Sequence, residues 1–534
     1  MATLILVPTP LTAAPQAATR QFAPGPPLRV SAGQPAAPRI QARVVIDAHA
    51  PMRSIPASFL GISTEYWSMP LWARHLSLLD RVLSLVHGPG PLVLRIGGDS
   101  ADRTFWSPVR ELPGWAFELT PAWLREVSAI VRHTHARLIL DLNLVTATPM
   151  IAARWARVAE AKLPKHSIIG FEIGNEPDLY SRTLWQAAIA GGRAARVLPL
   201  QITASSYAAA YTAYSRALSH AAPGVPLLGP ALSKPRAGLG WISRLLATPH
   251  PGLAAVTVHR YPYSACAAAS DPADPTLARV LSENAPAGMA RTVLGAVRVA
   301  RTAGLPVRLS ELNSITCGGV SGISNTFATA LWAPDALFEL LHAGVSGVNV
   351  HVRAAAINAA YSLGRSGLYA HPLLYGMVMF NRMLGPDSKL VSLRLRAPRQ
   401  LHLKVWAVRS GRSTLRVLVI DKGGRAAEVS LTLPAQGSAT VQRLLGPSVR
   451  SARGVTLTGQ RLSRNGLWRG RPVITVVPRG PRGYTLAVPR YSAAVLTVAL
   501  RPTLRSGPHR GWPSQRLGGA RTRDRARTST RPAG

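Results

Sequence analysis

The stretch IIGFEIGNEPD, residues 168–178, begins as an almost continuous apolar run and ends in a group of polar residues. Such a run is typical of a parallel β-strand that is buried on both faces. Similar runs recur along the chain, with helical patterns such as 121–133 and 205–221 between them. They are FLGIS (59–63), LVLRI (92–96), RLILDL (137–142), PLLGPA (226–231), AVTVH (255–259), VRLSE (307–311) and GVNVH (347–351). Eight strands with helical spacers predict an α/β fold of the (β/α)8 TIM-barrel type.

The pattern changes from about residue 389 onward. Short alternating segments such as LHLKVWAV, LRVLVID and AAVLTVAL are separated there by Gly, Pro and Ser turns. This pattern predicts a C-terminal antiparallel β-sandwich domain. The segment ARVVIDA (42–48) has the same character but precedes the barrel, so we expect it to join the sandwich.

The chain ends differ in composition from the rest of the chain. A short apolar run from Thr3, followed by small residues, resembles the latter part of a signal peptide and indicates a secreted or cell-surface protein. Residues 502–534 hold eight Arg and one acidic residue, which predicts a solvated basic tail. We therefore expect five parts: a signal-like or disordered segment (1–38), a sandwich strand region (39–58), the barrel (59–385), the sandwich (386–501) and a disordered tail (502–534).

The formal net charge of +39 has three interpretations. A nucleic-acid-binding protein would use it on phosphates, an enzyme for acidic glycans would use it to attract substrate, and a compositional bias towards Arg would leave it on solvated faces. The sequence contains no zinc-finger spacing and no RNA-binding signature, so we expect no specific nucleic-acid partner. We also find no apolar run long enough for a transmembrane helix.

The two cysteines, Cys266 and Cys317, are too few for a structural zinc site made of four thiolates. Each follows a predicted barrel strand, so a disulfide between them is expected if the protein is exported. The alternative is two free buried thiols.

Glu176 and Glu311 end the predicted fourth and seventh strands. The carboxyl ends of barrel strands meet at one face, so these carboxylates can converge there. Two carboxylates can cleave a glycosidic bond, one as proton donor and the other as nucleophile, and the chemistry requires no metal and no organic cofactor. Either residue could instead be an ordinary loop carboxylate or salt-bridge partner.

The motifs around these residues resemble glycoside hydrolase family 79, which contains β-glucuronidases and heparanase-like enzymes. The resemblance covers about residues 42–500. It is carried by GNEPDLY, SELNS, FLGISTEYW (59–67), LRIGGDSADRTFW (94–106), HRYPYSAC (259–266), HPLLYGMVMF (371–380) and VPRYSAAVLTVAL.

The resemblance implies roles for matching positions. Glu176 would be the general acid/base and Glu311 the nucleophile of a retaining mechanism. Asn175 would hydrogen-bond the 2-hydroxyl of the sugar.

Further matching positions are expected to bind substrate. Glu65 and Asp102 would grip distal hydroxyls, although each could be structural and Asp102 could cap the turn after it. Tyr261 would position the nucleophile, and Tyr361 would line the sugar pocket. The strand-end residues His259 and His351 are either core imidazoles or hydrogen-bonding groups of the active site.

One segment departs from the family pattern. Heparanase-like members carry a Tyr five positions after the nucleophile, followed by glycines, and this segment binds the uronate carboxylate. Here the position is Thr316, followed by Cys317 and then Gly318. The Thr316 hydroxyl and the loop amides could still bind an anion.

The sequence thus predicts a retaining exo-β-glucuronidase whose partner is a glycan or glycoside, possibly containing uronate. Two alternatives remain open: the same chemistry on a neutral or disaccharide glycone, and a non-catalytic protein that binds polyanions or glycans. The sequence leaves the oligomeric state open.

Overall fold

A computed structural model of the chain describes residues 39–500, except residues 48–49, 51, 107–111, 113 and 182–201. The terminal segments 1–38 and 502–534, for which the sequence predicts disorder, lie outside the described residues. None of the helices in the described part of the chain combines the length and the apolar content needed to cross a bilayer.

Eight parallel strands form a closed barrel, which confirms the predicted fold class. Each strand pairs with the next, and the last pairs with the first. Their sequences are continuous apolar runs because the barrel interior covers one face and the helices cover the other. They are β1 (Leu60–Glu65), β2 (Val93–Gly97), β3 (Arg137–Leu142), β4 (Ile168–Ile173), β5 (Leu227–Leu232), β6 (Leu253–Arg260), β7 (Val307–Leu312) and β8 (Gly347–His351).

The helices that surround the barrel begin at identifiable caps. The hydroxyl oxygens of Thr120, Thr148 and Thr203 each accept a hydrogen bond from the backbone N–H three residues later. The described helices of at least eight residues are Leu76–Val86, Pro121–Thr134, Pro149–Lys162, Ala204–Ala221, Leu239–Leu246, Met289–Thr302, Phe327–Ala343 and Pro372–Arg382.

Two further sheets enclose a second apolar core. The four-stranded sheet has the order Leu393–Arg396, Ile40–Ile46, Ala427–Thr432 and Tyr484–Val488. The eight-stranded sheet runs Arg53–Ser54, Lys389–Val391, Leu403–Ser410, Thr414–Asp421, Ser492–Leu500, Ala435–Leu445 and Thr456–Leu457, with Thr475–Val477 beside Ala435–Leu445.

The N-terminal strand Ile40–Ile46 departs from the purely antiparallel pattern that the sequence predicts. It pairs antiparallel with Leu393–Arg396 but parallel with Ala427–Thr432. This strand precedes the barrel in sequence, whereas its partner strands follow the barrel. No hairpin joins them, so the direction of pairing is not constrained by a short turn.

A buried ion pair connects a helix of the barrel with the eight-stranded sheet. Asp335, on helix Phe327–Ala343, accepts hydrogen bonds from Lys422 Nζ at 2.8 Å and from Trp406 Nε1 at 3.0 Å. The side chains of Asp335 and Lys422 are 0% and 2% exposed. We expect Asp335→Ala to lower the free energy of unfolding by about 3–5 kcal/mol, because it leaves a buried ammonium group without its main partner.

Urea denaturation of the variant measures this loss. Glu160→Ala is the matched control, because it removes an exposed carboxylate from helix Pro149–Lys162. If both variants unfold at the same urea concentration, the ion pair does not stabilise the domain interface.

Candidate active site

Arg95 lies at the centre of a buried ionic cluster inside the barrel. It is in the middle of β2 and is 0% exposed. Its guanidinium donates to Glu172 at 2.7 Å, Asp141 at 2.8 Å and Glu311 at 2.9 Å. Burial alone would lower the pKa of Arg95, but the negative charges of these carboxylates outweigh it and raise that pKa. The barrel interior therefore holds a permanent positive charge beside Glu311.

Glu311, in β7 one residue before its end, has both carboxylate oxygens held. Oε1 accepts a hydrogen bond from the Tyr261 hydroxyl at 2.6 Å, and Oε2 accepts one from Arg95 Nη1 at 2.9 Å. Oε2 also lies 3.5 Å from Nδ1 of His351. Burial would raise the pKa of Glu311, but the positive charges around it, including His351 and Arg95, and the Tyr261 hydrogen bond lower it to about 2. Glu311 is therefore ionised at neutral pH.

Glu176 follows β4 by three residues and has the opposite electrostatic character. Its backbone is in the left-handed region, with φ 51° and ψ 51°, and its N–H donates to Ala231 O at 3.1 Å. Non-glycine residues adopt this conformation at a cost, so the surrounding contacts must hold the turn. Burial, and then the negative charge of Glu311, raise the pKa of Glu176 well above its usual value. Glu176 therefore holds its proton to higher pH than an exposed glutamate.

His259, in β6, is the hydrogen-bonding partner of Glu176. Its Nδ1 atom lies 3.0 Å from Oε1 of Glu176. Burial lowers the pKa of His259 to about 4, so the imidazole is neutral at pH 7. A neutral ring can either donate to a carboxylate or accept from a carboxylic acid, depending on its tautomer. It can therefore serve Glu176 in both protonation states.

The two glutamates are close enough to act on one bond. One carboxylate oxygen of each, together with a ring nitrogen of His259, all lie within 4.8 Å of one another. Carboxyl groups about 5–5.5 Å apart are typical of glycosidases that retain configuration, whereas inverting enzymes need a wider gap for water.

These three side chains also have the ligand types of a small metal site. Glu311, however, already accepts hydrogen bonds from Arg95 and Tyr261. The fixed positive charge of Arg95 also opposes a cation at this position. The arrangement therefore fits proton transfer and covalent catalysis better than metal binding.

Glu65, at the end of β1, lies beside the cluster as the resemblance implies. Its Oε2 accepts a hydrogen bond from Ser100 N at 2.9 Å, and its Oε1 is 3.6 Å from Nε2 of His351. Burial would lower the pKa of His351, but the charge of Glu311 and the contact with Glu65 outweigh burial and raise it. His351 thus bridges Glu65 and Glu311.

Asp102 lies apart from this group. It is 0% exposed, and its Oδ1 accepts hydrogen bonds from the backbone N–H groups of Leu144 at 3.0 Å and Val145 at 3.3 Å. These hydrogen bonds give Asp102 a structural role, because they hold the loop that follows β3. Asp99, three residues earlier, is the aspartate of this segment that is partly exposed.

Asp99 belongs to the electrostatic environment of the cluster. Burial, then the charges of Glu65 and Glu311, raise the pKa of Asp99 to about 7, and the charges of Arg353 and His351 oppose this rise. Asp99, and not Asp102, is therefore the aspartate of this segment that interacts electrostatically with Glu65 and Glu311.

Asn175 is part of the cluster, whereas Tyr361 packs in the hydrophobic core. Oδ1 of Asn175 accepts a hydrogen bond from Arg95 Nη2 at 3.0 Å, which fixes the orientation of the amide. Tyr361 begins the hairpin after β8, is 2% exposed, and its ring lies 5.6 Å from that of Trp72. Its position in the core fits packing better than sugar contact.

The loop after β7 is tied to the loop after β6. The segments Tyr263–Ser264 and Ile315–Thr316 pair as short parallel strands. A disulfide joins Cys266 and Cys317, with an S–S distance of 2.15 Å. Cys317, Gly318 and Gly319 all have positive φ, and Gly319 N donates to Thr316 O at 3.3 Å. The Gly319 amide is therefore already used within the loop and is not free for an anion.

Arg353, two residues beyond β8, lies against this loop. A Cβ atom placed on Gly318 would come within 3.1 Å of Arg353 Nη2. The guanidinium is partly exposed, and its charge acts on Asp99 and His351. The sequence predicts anion binding at Thr316 and Gly318. The structure adds Arg353 beside this segment, a cationic side chain that the sequence analysis did not identify.

Sequence signals for three of the missed residues did exist. Arg95 interrupts the apolar run LVLRI, and Glu172 and Asp141 interrupt two other runs, so charged residues within predicted barrel strands indicate an internal cluster. No comparable signal distinguishes Asp99 from Asp102 or identifies Arg353.

The chain is similar to known glycosidases. A β-glucuronidase from Aspergillus niger is 27% identical over 234 residues, which covers 37% of this chain and 42% of that protein. The chain thus spans about two fifths of the length of this curated relative. No protein-family model matches the chain.

Solved structures share the architecture at low sequence identity. A 4-O-α-L-rhamnosyl-β-D-glucuronidase from Fusarium oxysporum 12S gives a TM-score of 0.68 at 17% identity, over 85% of this chain and 100% of that chain. A GH51 arabinofuranosidase from Xanthomonas axonopodis pv. citri gives a TM-score of 0.62 at 13% identity, over 86% of this chain and 100% of that chain. At these identities the likeness shows the fold, a barrel with additional sheets.

Proposed function

We propose that the protein is a retaining β-glycosidase, with Glu311 as the nucleophile and Glu176 as the general acid/base. The observation that carries this proposal is the opposite shift of two carboxylates whose oxygens lie within 4.8 Å: the pKa of Glu311 is lowered and that of Glu176 is raised. Paired carboxylates with divergent pKa values are the requirement of this reaction. Similarity to a β-glucuronidase in sequence supports the same class.

The reaction would proceed in two balanced steps. A Glu311 oxygen attacks the anomeric carbon while the glycosidic C–O bond breaks, and Glu176 gives its proton to the departing oxygen. A covalent glycosyl ester of Glu311 results. Glu176, now ionised, takes a proton from water, whose oxygen attacks the anomeric carbon and releases Glu311. Two inversions at this carbon give retention.

The surrounding residues would assist without changing covalently. Tyr261 and Arg95 hold the two oxygens of Glu311, so the attacking carboxylate needs little reorientation. Arg95 occupies the oxygen of Asn175, which leaves the amide nitrogen as the group to meet a sugar hydroxyl. Glu65 and Asp99 would bind hydroxyls further from the reacting bond.

We propose more specifically an exo-β-glucuronidase similar to glycoside hydrolase family 79. The support for a uronate is Arg353, which lies against Gly318 where family members bind the sugar carboxylate, and which can form paired hydrogen bonds with a carboxylate. We also propose that the protein is exported, because a disulfide between Cys266 and Cys317 fits an oxidising compartment.

Hydrolysis of a panel of 4-nitrophenyl glycosides by the full chain tests this function. We expect the β-glucuronide to be the best substrate and the first-formed sugar to be the β-anomer in NMR. Turnover of the β-glucoside alone would keep the mechanism and reject the uronate. Turnover of no glycoside in the panel, with a folded protein, would favour the non-catalytic binding protein.

The pH profile of kcat/KM should be bell-shaped. Activity needs ionised Glu311, so the acidic limb should lie near the pKa of about 2 that its positive neighbours impose. It also needs protonated Glu176, so the alkaline limb should lie above the usual glutamate range because burial and Glu311 raise that pKa. A single limb rising through pH 4 to 5 with no alkaline fall would contradict both assignments.

Arg353→Gln should lower kcat/KM for the β-glucuronide roughly 10- to 100-fold, the value of a hydrogen bond to a charged group. The β-glucoside, which lacks the carboxylate, should be hydrolysed at an unchanged rate. Arg365→Gln, which removes an exposed arginine from the hairpin Tyr361–Ala370, is the matched control. Equal losses on both substrates would show that Arg353 does not recognise the carboxylate.

A further inference from the structure

We propose a second binding site, for an anionic oligosaccharide, outside the barrel mouth. A cavity of about 500 Å³ lies between strand Gly367–Ala370, the start of helix Pro372–Arg382, the loop of residues 452–455 and the hairpin of residues 461–469. Its volume is within the range of small-ligand pockets. None of the catalytic or sugar-binding residues named above lines it.

The walls of this pocket carry positive charge without compensation. Arg453, Arg461, Arg464 and Arg469 line it, and no Asp or Glu does. Within the described part of the chain, none of these four forms an ion pair with a carboxylate. The sequence around the pocket also lacks acidic residues: residues 429–500 contain ten arginines and no Asp or Glu. A concave surface of one sign focuses its field on the opposite charge, so the expected ligand is an anion.

The pocket also offers aromatic rings beside the guanidinium groups. Tyr369 is 38% exposed, and Arg453 donates from Nε to its hydroxyl at 2.9 Å. Tyr375 accepts a hydrogen bond from Leu462 N at 2.9 Å and packs edge-on against Trp468, with ring centroids 6.0 Å apart. These contacts hold the rings in place before any ligand arrives.

This combination fits an acidic sugar chain. The apolar face of a pyranose packs on an aromatic ring, while a carboxylate or sulfate group matches the planar fork of arginine. A nucleic acid binds along a continuous basic track many nucleotides long, whereas a cavity of about 500 Å³ has the size that suits a short saccharide segment. That the ligand is a saccharide rests on the proposed function, whereas that it is an anion rests on the arginines of the pocket alone.

The arginine pair Arg461 and Arg464 allows a clean test. Neither side chain makes a hydrogen bond or ion pair with the described residues, so Arg461→Gln with Arg464→Gln should leave the fold intact. The matched control is Arg154→Gln with Arg157→Gln, which removes the same charge from the exposed face of helix Pro149–Lys162. Titration calorimetry of the full chain would use an oligogalacturonate hexamer, a neutral cellohexaose and a single-stranded DNA hexamer as probes.

We expect the pocket pair to weaken binding of the oligogalacturonate roughly tenfold or more, and the control pair to leave it within twofold. Hydrolysis of 4-nitrophenyl β-glucuronide should be unchanged in both, because neither Glu176 nor Glu311 lines the pocket. Equal weakening by the two pairs would overturn the site, because it would reflect net charge alone. Binding of DNA as tight as that of the uronate would overturn the saccharide assignment. The difference in oligogalacturonate affinity between the two double variants tests the pocket even if the protein hydrolyses no glycoside.

Discussion

Replacement of Glu311 by alanine is expected to lower kcat on 4-nitrophenyl β-glucuronide by about 10⁴-fold or more, the loss typical when a catalytic nucleophile is removed. The physical reason is that no other group is held at the anomeric carbon, since both oxygens of Glu311 are positioned by Tyr261 and Arg95. The fold should survive, because Arg95 keeps its contacts with Glu172 and Asp141. Steady-state kinetics with a thermal melt would measure both effects.

Chemical rescue distinguishes a missing nucleophile from a damaged protein. The space left by the carboxylate should admit azide, which can attack the anomeric carbon and give a glycosyl azide of inverted configuration. Glu311→Gln, which keeps the volume filled, should be inactive and should not be rescued. Residual activity above about one hundredth of the wild-type value, without added azide, would contradict the assignment of Glu311.

Replacement of Glu176 by alanine should have an effect that depends on the leaving group. A methyl β-glucuronide needs its departing oxygen protonated, so kcat/KM should fall by about 10²- to 10⁴-fold. A 2,4-dinitrophenyl β-glucuronide leaves readily as an anion, so formation of the glycosyl ester of Glu311 should be affected much less. The alkaline limb of the pH profile should disappear, because it arises from the raised pKa of Glu176.

The comparison of the two leaving groups is the decisive measurement for Glu176. Glu160→Ala, an exposed carboxylate, serves as the control and should match the wild type on both substrates. Equal losses on both would mean that Glu176 does not donate the proton. In that case His259, 3.0 Å from Glu176, would be the next group to replace.

Much of the architecture is determined by local sequence. Strands buried on both faces need continuous apolar runs, so the eight runs predict the barrel, and the observed bounds of β3, β4 and β8 coincide with RLILDL, IIGFEI and GVNVH. Because barrel strands end at a common face, the positions of Glu176 just after its run and of Glu311 at the end of its run also predict that they meet.

Tertiary structure alone decided the electrostatics of the site. Glu176 and Glu311 carry the same carboxyl group, and only their surroundings separate their pKa values. Burial and Glu311 raise the pKa of Glu176, whereas His351 and Arg95 lower that of Glu311. Charge interactions depend on distance in space and on burial, which residue order does not contain.

The same reason explains the surroundings that the sequence did not predict. Asp99 and Asp102 lie three residues apart in the short helix Gly98–Arg103, and only the packing of that helix places one beside Glu65 and the other under the loop of Leu144. Arg353 comes 37 positions after Thr316 in sequence yet lies beside Gly318. The sequence by itself thus determined the barrel and the convergence of Glu176 and Glu311, whereas the neighbours that set the charge of each side chain were decided by contacts between distant segments.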